Sequence, residues 1–147
     1  MAIWQYAFNI IPRDTAIMGN AKTEREDVIF WNGYSVSEDS ILKISKSLKP
    51  EKSWSDHIKQ YGVLDKTCIE FSFEDGVLEE VSVRIDLRNI TSELVNEIID
   101  FIRSNDAIIL SNEGALFEPS KKEIITMIKS SEACKFVVNP REFLSNL

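Results

Sequence analysis

Residues 81–88 read VSVRIDLR: Val81, Val83, Ile85 and Leu87 are apolar, and Ser82, Arg84, Asp86 and Arg88 are polar or charged between them. Strict alternation over eight residues predicts a half-buried strand, because successive side chains of a strand point to opposite faces. The same period occurs twice more. Trp4, Tyr6, Phe8 and Ile10 alternate with Gln5, Ala7 and Asn9 until Pro12, which is expected to stop the strand. Thr67, Ile69, Phe71 and Phe73 alternate with Cys68, Glu70, Ser72 and Glu74. A short apolar run over 107–111 adds a fourth strand.

Elsewhere the period lengthens to that of a helix. Ser37 is placed to cap a segment with Glu38 and Asp39 in its first turn, Ile41, Ile44 and Leu48 along one stripe, and Pro50 at its end. Thr91 or Ser92 caps a second stripe of Leu94, Ile98, Phe101 and Ile102. Ser120 with Glu123 forms a capping box before Ile124, Met127 and Ile128. The stretch SWSDHIKQYG reads as a short helix capped by Ser53 or Ser55 and ended by Gly62. The tail, FVVNPREFL, reads as an extended piece, a proline turn and a last helical turn. Residues 13–34 show neither period and read as a long loop or insertion, with a short strand over 28–31.

Parity constrains the turn between the second and third strands. A two-residue Asp75-Gly76 turn pairs positions whose numbers sum to 151, which sets Phe73 opposite Leu78 but, further along the ladder, core residues against polar ones, with Ile69 opposite Ser82. Keeping both apolar rows on one face requires an odd-length loop or a bulge within 74–80. The order strand, helix, strand, strand, helix, strand, helix is that of an α+β ferredoxin-like βαββαβ sandwich, an antiparallel sheet with helices on one face, followed by a C-terminal helix. Its 147 residues make a single domain. In this arrangement VSVRIDLR is a central strand whose even residues look out from an open face.

Charge changes the picture more than composition does. With 44% hydrophobic and 28% charged residues the chain reads as an ordinary globular protein. Its net charge of −7 is concentrated in 68–100, where nine acids (Glu70, Glu74, Asp75, Glu79, Glu80, Asp86, Glu93, Glu97 and Asp100) face only Arg84 and Arg88. Such a field disfavours nucleic acid and anionic membranes and speeds association with basic proteins. The opening MAIWQYAFNIIP lacks the basic segment of a signal peptide, and no apolar run spans a bilayer, so a cytoplasmic setting is expected.

Catalytic chemistry is sparse in the sequence. His57 is the only histidine and has no nucleophile motif beside it; the five glycines form no phosphate loop; Cys68 and Cys134 lack zinc-ligand spacing. No cofactor or metal is therefore expected. Glu70 and Asp86 on neighbouring strands resemble an acid–base pair, but the plainer account is a cross-strand ladder with Glu70 or Glu80 paired to Arg84. An acidic neighbourhood raises the Cys68 thiol pKa and removes it as a nucleophile. RNA-recognition domains share this strand order, yet they need aromatics on the open face. Here Trp4, Tyr6, Phe8, Phe71 and Phe73 keep the phase of the core row. Trp31, Trp54, Tyr34 and Tyr61 lie outside the periodic elements and read mainly as packing at the core's ends; Trp54, flanked by Ser53, Ser55 and Asp56, is the best placed to anchor a partner.

The stretch from SWSDHIKQYG through TCIEF to EEVSVRIDLR resembles a family of small, mostly uncharacterised bacterial proteins. Its pattern is a WS-containing turn, an aromatic-Gly pair, an IE strand and a strand ending RIDLR. Some members resemble the immunity proteins encoded beside polymorphic toxins. The resemblance covers the middle third of the chain, singles out Trp54, Gly62, Glu70, Arg84, Asp86 and Arg88, and implies no catalytic role for any of them.

The expected function is thus a non-catalytic protein-binding module of immunity type. It would neutralise a basic toxin through Trp54, Glu70, Glu74, Asp75, Glu79, Glu80, Arg84, Asp86 and Arg88. The alternative is a small ligand-binding domain or enzyme using the open sheet face around Glu70, Arg84 and Asp86. A third reading is an oligomeric module that pairs exposed sheet edges.

Overall fold

A computed structural model describes residues 1–19 and 29–145. The chain runs through β1 (Gln5–Pro12), α1 (Arg13–Gly19), α2 (Glu38–Ile44), β2 (Pro50–Glu51), β3 (Ile58–Tyr61), β4 (Cys68–Glu74) and β5 (Val77–Asp86). After a 3-10 turn at Leu87–Asn89 come α3 (Ser92–Ser104), β6 (Ala107–Ser111), β7 (Leu116–Phe117), α4 (Lys121–Lys129), α5 (Glu132–Val138) and α6 (Pro140–Ser145). The strands form one sheet in the order β2-β3-β4-β5-β1-β6-β7, with every neighbouring pair antiparallel. The architecture is mixed α+β. The seven strands among the described residues exceed the four of a simple βαββαβ sandwich, because β2, β3 and β7 extend both edges.

β5 lies at the centre of that order and carries the expected alternation. Val81, Val83 and Ile85 are fully buried, each contributing about 1.5–3 kcal/mol by its removal from water. They meet Phe8, Ile10, Ile69 and Phe71 from the flanking strands, and Ile44, Val95, Ile98, Ile102, Ile124 and Met127 from α2, α3 and α4. Thr91 caps α3, accepting from the Leu94 amide, and Ser120 caps α4, accepting from the Glu123 amide.

The β4–β5 connection combines a two-residue turn with a bulge. Asp75 (φ 50°) and Gly76 (φ 77°) both occupy the left-handed region, as a type I′ hairpin turn requires. Next to the turn, Phe73 pairs with Leu78 and Glu74 with Val77; beyond it, Ser72 pairs with Glu80 and Ile69 with Val83. Glu79 is the extra residue. It shifts the register by one and returns both apolar rows to the same face.

Four sequence expectations are corrected. Residues 53–62 do not form a helix: β3 pairs with β4 (Lys59 opposite Phe71, Tyr61 opposite Ile69), and the Ser53 hydroxyl bonds to the carbonyls of Ser55 and Ile58 within the preceding turn. Gly62 has the positive φ of a helix stop (+90°), but a Cβ there would lie 2.3 Å from the Thr67 carbonyl oxygen, so close backbone approach demands the glycine. The tail is helical rather than extended, because Ser131 accepts from the Cys134 amide to start α5 and Pro140 occupies the first position of α6.

The 13–34 segment is not wholly loop either. Its first seven residues form α1, 30–33 form turns, and Val28, where the expected strand begins, lies outside the described residues. Finally, the helices do not all share one face. Ala16 of α1, with Phe30, packs on Ile11, Ile108 and Leu110, a satellite cluster on the side of the sheet opposite the main core.

Candidate functional site

The polar row of β5 shows what its charges do. Arg84 Nη2 lies 3.2 Å from Glu70 Oε1. Since Cys68 stands opposite Arg84 and Glu70 opposite Ser82, this is a diagonal cross-strand pair on one face, the expected ladder. Glu70 is 5% exposed, so its charge is satisfied inside the protein rather than presented.

Asp86 is more deeply embedded, at 2% exposure. It caps the 3-10 turn by accepting from the Arg88 amide at 2.9 Å, and the Arg88 side chain returns to it through Nε and Nη2, each at 3.0 Å. That guanidinium also lies over the Trp4 ring, its central carbon 3.9 Å from the centroid. Burial pushes the Asp86 carboxyl up, but the Arg88 hydrogen bonds and charge outweigh it and hold the group below its ordinary value.

This end of the face expected to be open is closed. The β3–β4 connection folds across it: the Gln5 amide donates to the Leu64 and Lys66 carbonyls, Trp4 Nε1 donates to the Asp65 carbonyl at 2.9 Å, and Thr67 Oγ1 accepts from the Asp86 amide. Trp4 therefore leaves the apolar row to which its spacing assigned it, whereas Phe8 and Phe71 lie in the core with Tyr6 and Phe73 packed against it. Gln5, Thr67 and Gln60 are buried polar residues that alternation alone does not mark as special. The signal available in the sequence is Gln5, a polar amide between the aromatic Trp4 and Tyr6. Cys68 is fully buried, and burial first, then the Glu70 charge, pushes its thiol up to about 11 against a smaller lowering by Arg84. At neutral pH it is a protonated core thiol.

The other end of the sheet is different in kind. Glu74, Asp75 and Glu80 are exposed and Glu79 half-buried around the β4–β5 turn. Among the described residues, none of the four has a lysine or arginine within ion-pair distance. Instead Glu79 meets Glu74. Their hydrogen bond chiefly, with some burial and the charges of Glu74, Glu80 and Asp75, raises the Glu79 carboxyl above its ordinary value. The bulge is the cause of this crowding, since it adds a carboxylate to a strand position that has no cross-strand partner.

Trp54 lies at the same end. Ile58 pairs with Ser72, and the Phe73 amide donates to the His57 carbonyl at 2.8 Å, so the 52–57 turn runs beside the tip of the hairpin. Trp54 is 73% exposed there. Trp31, by contrast, is buried, and its Nε1 donates to the Ile10 carbonyl at 2.9 Å.

The nine candidate residues thus separate into two groups. Trp54, Glu74, Asp75, Glu79 and Glu80 gather at the turn end, while Glu70, Arg84, Asp86 and Arg88 form internal ion pairs. His57 is exposed and engages through its backbone. Among the described residues, no group of three or more His, Cys, Asp or Glu side chains is arranged to hold a metal ion, and no helix is long and apolar enough to cross a membrane. Comparison of the chain with protein-family models, with curated proteins and with solved structures finds no match.

Proposed function

We propose that the chain is a non-catalytic protein-binding module of immunity type, which docks on a basic protein toxin through the turn end of its sheet. The observation that carries this reading is an exposed Trp54 at the same end of the sheet as four carboxylates that have no cation within ion-pair distance among the described residues. An apolar anchor beside uncompensated charge is the arrangement of an interface hot spot with an electrostatic rim. A basic partner also relieves the repulsion between Glu74 and Glu79, a gain that a neutral partner does not supply. The face around Glu70, Arg84 and Asp86 serves instead as the frame, because its charges are already engaged.

The same reading takes the framework as an extended ferredoxin-like sandwich. Its centre is β4-β5-β1-β6, α2 and α3 are its crossovers, and the three short strands are additions at the edges. The test is parallel capture from the native host with the wild-type chain and with a Glu74→Lys, Glu79→Lys, Glu80→Lys form. A basic protein retained by the first and lost by the second is expected. A partner held equally by both overturns the reading.

A further inference from the structure

At the opposite end of the sheet, β1 outruns its neighbour. Phe8 pairs with Ser111, the last residue of β6, whereas Gln5, Tyr6 and Ala7 pair only with β5. Past Ser111 the chain turns away through Gly114 (φ +84°) into β7, and the gap that this leaves faces the junction of α4 and α5. The result is a cleft of about 510 Å3, within the range of small-molecule sites. Tyr6, Ala7, Phe117 and Met127 are among the residues that wall it; Glu113 and Glu132 carry the acidic charge of its lining, which includes Met1 with its α-amino group at the rim but no lysine or arginine side chain.

The lining's polar groups are unequally engaged. Ser130 and Ser131 donate their hydroxyl protons to the carbonyls of Met127 and Ile128, at 3.0 and 2.6 Å, so neither is left to hold an anion. Glu132 pairs with Lys135 at 3.1 Å. Glu113 has no cationic partner among the described residues. Burial of Tyr6, then the charge of Glu113, raises its phenol and keeps it neutral, with its ring as an apolar wall beside the carboxylate.

We propose that this cleft binds a small organic cation, with its ammonium group at Glu113 and its apolar body against Tyr6, Phe117 and Met127. Glu113, which has no ion-pair partner among the described residues, supplies the charge, the rings supply quadrupole attraction, and the volume admits an aryl or short alkyl body. The site is separate from the acidic turn. β5 runs ten residues from Val77 beside the turn to Asp86 opposite Gln5, roughly 30 Å at strand rise.

The test is an amide-resolved NMR titration at pH 7 with 2-phenylethylamine, 2-phenylethanol and phenylacetate. The amine is expected to shift Tyr6, Ala7, Asn112 and Glu113 saturably, the alcohol to bind roughly tenfold more weakly, and phenylacetate not to bind. Glu113→Gln, on an exposed turn, should bring the amine down to the affinity of the alcohol. The triple lysine form of the β4–β5 turn should leave the amine's affinity unchanged, which separates this site from the docking surface. Equal affinity for all three compounds, no saturable shift with the amine, or indifference to Glu113→Gln overturns the proposal.

Discussion

Arg88 closes on Asp86 as a fork, with Nε to Oδ1 and Nη2 to Oδ2 both at 3.0 Å, while the guanidinium lies over the Trp4 ring. The pair is built from residues two apart at the end of a strand, where the 3-10 turn brings the arginine back over the aspartate. Its effect is to tie the central strand to the N-terminal segment and to the β3–β4 connection.

Acid should release this clasp. Because the Asp86 carboxyl titrates below its unfolded value, its contribution to stability is fully present above that unfolded value, about 3.9. The contribution is lost as pH falls through the lowered native value. Urea midpoints between pH 7 and 2 are expected to fall more steeply below pH 4 for the wild type than for Asp86→Asn, which begins lower at pH 7. Parallel curves for the two proteins would remove Asp86 as the source.

Glu79 should behave with the opposite sign. Its native carboxyl titrates above the ordinary value, so the ionised form opposes folding and the penalty appears as pH rises through the native value. Glu79→Gln is expected to melt slightly above the wild type at pH 7, with the difference vanishing below pH 4. A lower melting temperature for Glu79→Gln at pH 7 would contradict the crowded-carboxylate account.

Register yields a sharper expectation. Deleting Glu79 removes the bulge but leaves Phe73 opposite Leu78, Ser72 opposite Glu80 and Phe71 opposite Val81, so the hairpin becomes regular and the core face is kept. Deleting Ser82, an equally small change three residues on, turns Val83 and Ile85 to the polar face. The Glu79 deletion should therefore fold, with a native-like near-UV spectrum and a cooperative melt, and the Ser82 deletion should not. The parity of VSVRIDLR against TCIEFSF is legible in the sequence and demands a slip; where the slip falls is set by Asp75 and Gly76 favouring a two-residue turn.

Other features were hidden for physical reasons. The short edge strands β2 and β7 are two residues each, too short for any period to register. α1 covers the second face with Ala16, a residue whose spacing carries no helical stripe. Trp4 follows the alternation of its strand, and only the turn that brings Arg88 back reveals a different role. At the site, localisation of charge was visible along the chain. That Arg84 and Arg88 serve Glu70 and Asp86, leaving the turn carboxylates with no ion-pair partner among the described residues, follows from register and burial.

Glycine positions divide by the same logic. Gly62 has both a positive φ and a backbone oxygen 2.3 Å from where a Cβ would stand, whereas Gly76 has only the positive φ and open space. Gly76→Ala is expected to cost about 1 kcal/mol. Gly62→Ala should cost roughly 3 kcal/mol or more, since the β3–β4 connection must move and the Gln5 and Trp4 bonds with it. Chemical denaturation measures both; similar losses would mean that the close approach at Gly62 is easily relaxed.

The two halves of the docking surface should separate kinetically. Charge at an interface rim acts mainly before contact, by steering, and its effect is screened by salt; a large apolar anchor acts after contact, by holding the complex together. With the captured partner, Glu74→Lys with Glu80→Lys is expected to slow association by about tenfold or more at low ionic strength and to flatten its salt dependence, with little change in dissociation. Trp54→Ala should do the reverse: association nearly unchanged, dissociation faster by roughly tenfold or more, as for a hot-spot tryptophan costing about 2 kcal/mol. Stopped-flow association across a salt series, together with dissociation by competition, measures both rates. If Trp54→Ala altered only association, the indole would be a bystander beside an electrostatic patch, and the surface would have to be redrawn without it.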